Sequence, residues 1–510
     1  MLRCRVAEAQ SGVSLIHDHK IKERYGDLKM VKVLFVAAEA VPFAKTGGLA
    51  DVAGSLPKQL RTQGVDVRVI MPKYSSIPAE YREQMSLRHK TTVPVGWRQQ
   101  YCGVEELEYE GVPFYFIDNE AYFKRSELYG YYDDAERFAY FCRAVLEVLP
   151  DLDFVPDVVH CNDWHTGMVS VFLNAHYRHQ LSYQNIRTIF TIHNLRYQGV
   201  FAKEIVPDLL GLGWEYFTAD RLEFYDQVSF MKGGIVFSDI ITTVSRTYAE
   251  EIQHEYFGER LEGLLYKRRD DIVGIINGID YDVYNPATDN HLAVRYDAGS
   301  VDQKCEIKVK LQEQLGLPVR RSTPLLAVIS RLVAPKGLDL IVHILDELVS
   351  GEDVQLVVLG TGEFRYENLF QQAAWKYPNK VSANIHFSEE LAHQLYAAAD
   401  IFLMPSQYEP CGIGQLIALR YGALPVVRET GGLKDTVQPY NKYTGLGNGF
   451  SFSNYNAHEL LFTVKRALGL YYDKPVWTKI VQNAMQTDYS WLQSAQQYQS
   501  IYHRLHSEGR

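Results

Sequence analysis

VKVLFVAAEAVPFAKTGGLADV, Val31–Val52, opens as an unbroken apolar run and closes on a lysine, two adjacent glycines and an aspartate. A continuous rather than alternating apolar run is the pattern of a parallel strand covered on both faces. A glycine pair just beyond a strand can let the backbone approach a phosphate. This pair belongs to neither a GxGxxG nor a Walker A sequence, which disfavours a Rossmann dehydrogenase. What the loop holds is a question for the rest of the chain.

The opening pattern recurs. DVRVIMP (66–72), VPFYFID (112–118), PDVVHCN (156–162), IRTIFTIHN (186–194) and DIITTVS (239–245) are further strand candidates. A second series contains DIVGIING, PLLAVIS (324–330), VQLVVLG (354–360), SANIHF (382–387), IFLMPS (401–406) and ALPVVRE. Helix patterns such as SEELAHQLYAAAD lie between many of them, and strand–helix alternation of this kind predicts doubly wound α/β sheets. The two series divide at NGIDYDVYNPATDN (277–290), whose Asn, Asp, Pro and Gly read as a linker. The expected units are residues 30–276, residues 277–480 and a terminal helical segment, 481–510. In that segment Trp491, Ala495, Tyr498, Ile501, Tyr502 and Leu505 recur at helical spacing, and the helix is expected to pack back on the first domain. Residues 1–29 precede a second methionine, Met30, and read as a dispensable extension with neither a signal-peptide h-region nor a transit-peptide composition.

At 510 residues the chain is too long for one ordinary core. Its 52 Lys and Arg against 62 Asp and Glu give a formal net charge of −10, which argues against a nucleic-acid or anionic-membrane surface. An anionic ligand would therefore need a locally basic pocket. The six cysteines form no CxxC pair, as expected of reduced cytosolic thiols, and no apolar run approaches transmembrane length.

Two open α/β sheets joined by a linker enclose a cleft, and ligands bind where strand carboxyl ends face it. The residues that follow the strands carry the chemistry. Arg331 and Lys336 follow PLLAVIS and could clamp a diphosphate, although a pair of solvated surface cations is the plain alternative. Glu409 follows IFLMPS, with Cys411 and Gly412 beside it; a carboxylate there can hold sugar hydroxyls. Thr430, Gly431, Gly432 and Leu433 follow ALPVVRE, and glycines opening a helix leave N–H groups free for phosphate oxygens. Gly47 and Gly48 form a similar TGGL element in the first half. His193 and Asn194 end IRTIFTIHN, and Asp163 follows PDVVHCN. DxD tripeptides at Asp151–Asp153 and Asp280–Asp282 offer closely spaced carboxylates of the kind that hold Mg²⁺ or Mn²⁺ but are common by chance, so no metal site is assigned to them.

Together KTGGLADV, HCNDWHTG, TIHNLRYQG, INGIDYDVYNP, SRLVAPKGLD, PSQYEPCGIGQ, ALRYGALPVVRETGGLKDTV and DYSW resemble bacterial glycogen synthases and plant starch synthases. These are retaining glycosyltransferases of GT-B type, with two facing Rossmann-like domains. The resemblance implies a cytoplasmic enzyme that transfers glucose from ADP-glucose to the nonreducing 4-hydroxyl of glycogen or another α-1,4-glucan, without cofactor or metal. Carried over by motif, Lys45 and Gly48 would lie at the donor's phosphates, with Asp51 and Asp163 toward the sugar and acceptor. His193 would hold the glucose 6-hydroxyl, and Arg331 and Lys336 would neutralise the diphosphate with N–H groups of Thr430–Leu433. Glu409 would bind the glucose 3- and 4-hydroxyls, with Cys411 and Gly412 close by. Asn194 and Asn277 join the donor set, and Phe387 would stack on the base. A UDP-glucose-dependent enzyme or another retaining GT-B transferase keeps the same fold and chemistry. A glucan-binding protein without catalysis is a third reading, disfavoured because binding glucan requires no diphosphate clamp.

Overall fold

The structure is a computed structural model in which residues 30–508 are described; the expected extension, 1–29, lies outside the described residues. Nine strands build the first sheet: β1 (Lys32–Val36), β2 (Asp66–Pro72), β3 (Ser86–Val95), β4 (Arg98–Tyr109), β5 (Val112–Asp118), β6 (Val158–Asn162), β7 (Arg187–Ile192), β11 (Ile240–Thr243) and β12 (Ile272–Gly274). A small antiparallel sheet, β8 (Val200–Ala202), β9 (Glu223–Phe224) and β10 (Gln227–Ser229), is inserted between β7 and β11. The second large sheet holds β13 (Leu325–Ile329), β14 (Gln355–Leu359), β15 (Val381–Asn384), β16 (Ile401–Met404), β17 (Leu424–Arg428) and β18 (Phe450–Phe452).

Both large sheets are doubly wound, as the apolar runs predict. The first has the order β12-β11-β7-β6-β1-β2-β5-β4-β3 and the second β15-β14-β13-β16-β17-β18. Chain direction across each sheet therefore reverses beside β1 and beside β13, which puts switch points between β1 and β6 and between β13 and β16. At such a point adjacent loops part and leave a crevice. The pairings are parallel except for β3–β4 and β4–β5. That antiparallel edge was not expected: β3, SLRHKTTVPV, is exposed at half of its positions and buried only near its end, and so lacks a continuous apolar run.

Each sheet carries its own apolar core, one of residues between Val31 and Ile275, the other between Ile279 and Tyr489. Helix Trp491–Glu508 crosses back to the first, where Trp491, Ala495, Tyr498, Tyr502 and Leu505 are buried. Its Tyr502 hydroxyl lies 2.8 Å from His160 Nδ1 on β6, and Ser494 Oγ donates to the Ile276 carbonyl at 2.5 Å. The end of the chain thus spans the segment that joins the two sheets.

Candidate active site

The first jaw is built on the ends of β1, β6 and β7. Beyond β1, buried Glu39 turns back and its Oε2 accepts from Thr46 N (2.6 Å) and Thr46 Oγ1 (2.7 Å), fixing the loop before helix Gly48–Thr62. Burial raises the Glu39 pKa, and the bonds from Thr46 oppose the rise. Lys45 Nζ pairs with Asp51 Oδ1 at 2.7 Å while remaining half exposed. A Cβ on Gly48 would stand 3.4 Å from Ile413 Cδ1, so this loop faces the EPCG segment of the other domain directly.

Asp163, at φ +56°, follows β6 and receives the His193 N–H at 2.8 Å and the Asn194 N–H at 3.4 Å on Oδ1. Burial pushes its carboxyl up to about 7 against those two hydrogen bonds, and the charge of Glu39 adds to the rise. His193 Nε2 lies 2.9 Å from Asn162 Oδ1. Asn162 Nδ2 donates to the Val36 (3.0 Å) and His160 (3.3 Å) carbonyls, which leaves Oδ1 as acceptor. The network therefore assigns the His193 proton to Nε2 and a lone pair to Nδ1. Burial lowers the His193 pKa to about 3, so the ring is neutral at physiological pH. Glu39 and Asn162 were not found in the sequence; both sit where buried polar residues interrupt apolar runs at β1 and β6.

The second jaw is built on β13, β16 and β17. Arg331 follows β13 with its side chain exposed. Lys336 Nζ reaches Glu409 Oε2 at 2.7 Å, and Ser406 Oγ donates to the same oxygen at 3.0 Å. Glu409 is 8% exposed, so its carboxylate is held by a cation and a hydroxyl at the second switch point. Gly412 takes φ +76°, and a Cβ there would lie 2.3 Å from Gln415 Oε1. Gln415 Nε2 in turn ties down the Cys411 and Gly412 carbonyls at 3.0 Å each. Burial drives the Cys411 thiol up to about 12 against the lowering effect of the Asn277 backbone N–H, so it remains protonated.

The late TGGL departs from expectation. Its N–H groups are not free: Thr430 N donates to Arg428 O, Gly432 N to Glu409 O and Pro410 O, and Leu433 N to Thr430 O. Gly431 N lies 3.1 Å from both carboxylate oxygens of Glu251, a residue of the first domain, and Thr430 Oγ1 reaches the same carboxylate at 3.1 Å. The glycines serve another need. A Cβ on Gly431 would come within 2.0 Å of Glu409 O, and one on Gly432 within 2.1 Å of Cys411 O. Their bareness lets the loop press on the EPCG backbone and set the position of Glu409.

The same pair of segments is bonded in the opposite sense. Asp435 Oδ1 accepts from Thr247 Oγ1 at 2.6 Å and Oδ2 from Thr247 N at 3.0 Å. Arg196 Nη1 adds a bond to Tyr408 Oη at 3.3 Å. Sequence alone did not single out Glu251, Thr247 or Asp435. Phe387 is 86% exposed and stands apart from the buried groups, just before helix Glu389–Ala398. An open cavity of about 390 Å³ lies beside Asp163, lined by Trp164, Arg196, Tyr197, Phe224, Glu259 and Arg260 among others.

The DxD carboxylates are engaged by cations: Asp282 pairs with Lys58 at 2.8 Å and Asp153 with Arg88 at 3.0 Å. Among the described residues, Asp289, His291 and His393 form one grouping with ligand atoms within 4.8 Å of one another. Asp289 Oδ2 already accepts from His393 Nδ1 (2.7 Å) and Tyr421 Oη (2.5 Å).

Residues 32–267 match the family model of the starch synthase catalytic domain, and residues 313–483 that of glycosyl transferases group 1. Two facing sheets with polar groups at both switch points and these two matches define a glycosyltransferase of GT-B type. A glycogen synthase of Desulforamulus reducens is 59% identical over 475 residues, covering 93% of this chain and 99% of that one. A glycogen synthase of Geobacillus thermodenitrificans is 58% identical, covering 93% and 98%. The catalytic domain of starch synthase IV from Arabidopsis thaliana, solved with ADP and acarbose, superimposes with a TM-score of 0.87 at 35% identity, covering 94% of this chain and 100% of that one. The chain belongs to the glycogen synthase family.

Proposed function

We propose that the chain transfers glucose from ADP-glucose to the nonreducing 4-hydroxyl of an α-1,4-glucan with retention of configuration. The observation that carries this reading is the Lys336–Glu409 pair at one switch point, opposite Asp163 and His193 at the other. The ADP bound to the Arabidopsis relative supports adenine as the base. Lys45, Arg331 and Lys336 would neutralise the diphosphate from both sides of the cleft, which is why the chemistry needs no metal. The His193 Nδ1 lone pair would accept the glucose 6-hydroxyl. Glu409, with Oε2 held by Lys336 and Ser406, would bind the 3- and 4-hydroxyls. Gly48, Asn194, Asn277, Cys411, Gly412 and the Thr430–Leu433 loop would shape the donor pocket, and Phe387 would reach the base from its edge. Asp51 and Asp163 would face the sugar and acceptor.

Retention ordinarily implies a carboxylate nucleophile on the far face of the sugar. The carboxylates here are otherwise engaged: Glu409 by Lys336, Asp163 by two backbone amides. The reading that fits is same-face attack through a short-lived oxocarbenium-like ion pair. The bond from the anomeric carbon to the diphosphate oxygen breaks, the acceptor oxygen bonds to that carbon, and the departing phosphate takes the acceptor's proton. Initial rates of diphosphate release with ADP-glucose and UDP-glucose, with and without glycogen, test it. Glycogen-dependent ADP release is expected; faster turnover of UDP-glucose would replace the donor, and no release from either would reject transfer.

A further inference from the structure

Lys304 sits at the wrong end of its own helix. It begins helix Lys304–Gln314, where the dipole disfavours a cation, and it is 7% exposed. Burial pulls its pKa down to about 7 against the attraction of Asp400, with the charge of Lys308 adding to the fall. Its bonds show what offsets that cost. Nζ donates to the Ala397 carbonyl at 2.6 Å and to the Tyr421 carbonyl at 2.8 Å, and lies 5.4 Å from the centre of the Tyr296 ring. Ala397 is in the last turn of helix Glu389–Ala398, and Tyr421 caps the end of helix Gly414–Arg420. One cation therefore meets the orphan carbonyls and the negative dipole ends of two other helices.

A second tie joins the same two helices. Asp289 Oδ2 accepts from His393 Nδ1 on the first at 2.7 Å and from Tyr421 Oη at the end of the second at 2.5 Å. Its side chain is 1% exposed, and Tyr296 Oη adds a bond to the Tyr421 carbonyl at 2.6 Å. The helices also touch where the second begins: a Cβ on Gly414 would stand 3.2 Å from Tyr396 Oη. Their beginnings carry the site. Phe387 stands two residues before the first helix, and Glu409, Cys411 and Gly412 lie just before the second. A helix of 10 residues is about 15 Å long, so Lys304 acts on those residues through rigid elements rather than by contact.

We propose that Lys304 and Asp289 are positioning residues for the donor: by yoking the two helices they fix the span between Phe387 at the base and Glu409 at the glucose. This rests on the donor reading above and extends it to residues remote from the cleft. A nucleotide sugar that reaches both helix beginnings needs that span, whereas an acceptor facing Asp51 and Asp163 does not.

The test compares the full chain with Lys304→Met, which keeps the stem and removes the ammonium, and Tyr421→Phe, which removes only the hydroxyl held by Asp289. Calorimetry with ADP-glucose and no glucan is expected to show about tenfold weaker binding by Lys304→Met and a smaller loss in Tyr421→Phe. Tyr421→Phe decides alone if Lys304→Met does not fold. In kinetics the loss appears in KM for the nucleotide sugar, with kcat and KM for glycogen unchanged. A lysine that only stabilises the fold would lower Tm and leave donor binding as it was; that result overturns the proposal. Pairing Lys304→Met with Phe387→Ala reads the span itself. Residues so far apart ordinarily act additively, so a smaller effect of Lys304→Met in the chain without the Phe387 ring supports the yoke, and full additivity overturns it. If the unmodified chain binds UDP-glucose instead, the same comparison is made with that donor. Binding of neither nucleotide sugar rejects the donor reading and the yoke with it, whereas binding that neither variant weakens rejects the yoke alone.

Discussion

Thr46-Gly47-Gly48-Leu49 and Thr430-Gly431-Gly432-Leu433 share four letters, follow parallel strands at the cleft and open helices, yet each is completed by a different glutamate. The first takes Glu39 from its own strand end, through the Thr46 amide and hydroxyl. The second takes Glu251 from the opposite domain, through the Thr430 hydroxyl and Gly431 amide. One loop is therefore finished when its domain folds, and the other only when the domains meet. The second contact is also reciprocal. Glu251 lies at the end of helix Arg246–Glu251 and bonds the start of helix Gly431–Thr436, while Asp435 near the end of that helix bonds Thr247 at the start of the first. Carboxylates at helix N-termini satisfy orphan N–H groups and meet the favourable end of the dipole. The same tetrapeptide thus follows a half-exposed lysine in one place and forms a domain joint in the other.

On the proposed reading the donor's phosphate charge falls to cations, since the amides of the late TGGL are already bonded within the protein. Arg331→Ala and Lys336→Ala are accordingly expected to give the largest losses, about 2–4 kcal/mol of transition-state stabilisation each, or roughly 30- to 1,000-fold in kcat. Near-normal turnover in both would return the role to the backbone. Next in size is the joint. Glu251→Ala should lower kcat/KM for the nucleotide sugar about 10- to 100-fold, as expected for losing hydrogen bonds to a charged group worth about 1.5–3 kcal/mol, with little change in Tm. Glu39→Ala should instead lower Tm, because its bonds lie within one domain. Equal effects of the two variants on kinetics and melting would erase the distinction between the loops.

How far the sequence reveals this depends on how local each cause is. DVRVIMP and VPFYFID became Asp66–Pro72 and Val112–Asp118 without adjustment, because strands buried on both faces print their burial as an apolar run. The β3–β4 edge printed nothing comparable, since half of β3 is exposed and only its end is buried. At the site, residues just past strand ends were legible because doubly wound sheets place them at the cleft. Glu251 and Asp435 were not. TYAEEI reads as an ordinary helix face, and only the docked domains show that its glutamate faces another chain segment. The glycines of TGGL signalled close approach correctly, but not that the EPCG backbone is what approaches at 431 and 432.

The smallest expected effect separates the loops by pH. Asp163 carries a carboxyl raised by burial to about 7, with Glu39 contributing to the rise, while His193, lowered to about 3, does not titrate near neutrality. The ionised Asp163 accepts the His193 and Asn194 amides more strongly, so kcat/KM should rise about tenfold from pH 6 to pH 8, following the ionised fraction. Stability runs the other way. Asp163 holds its proton more tightly when folded, so its burden on the fold is absent below the ordinary aspartate value of 3.8 and grows as pH rises to about 7. Asp163→Asn should therefore abolish the kinetic limb and flatten the decline of Tm over that interval. Glu39→Gln removes the charge that helps to raise Asp163 and should move the limb to lower pH. Glu251→Gln, whose charge is not among the causes of the Asp163 shift, should leave the limb in place. A limb that moves equally in both variants would mean that the two glutamates share one electrostatic site, and the two TGGL loops would then differ in connectivity alone.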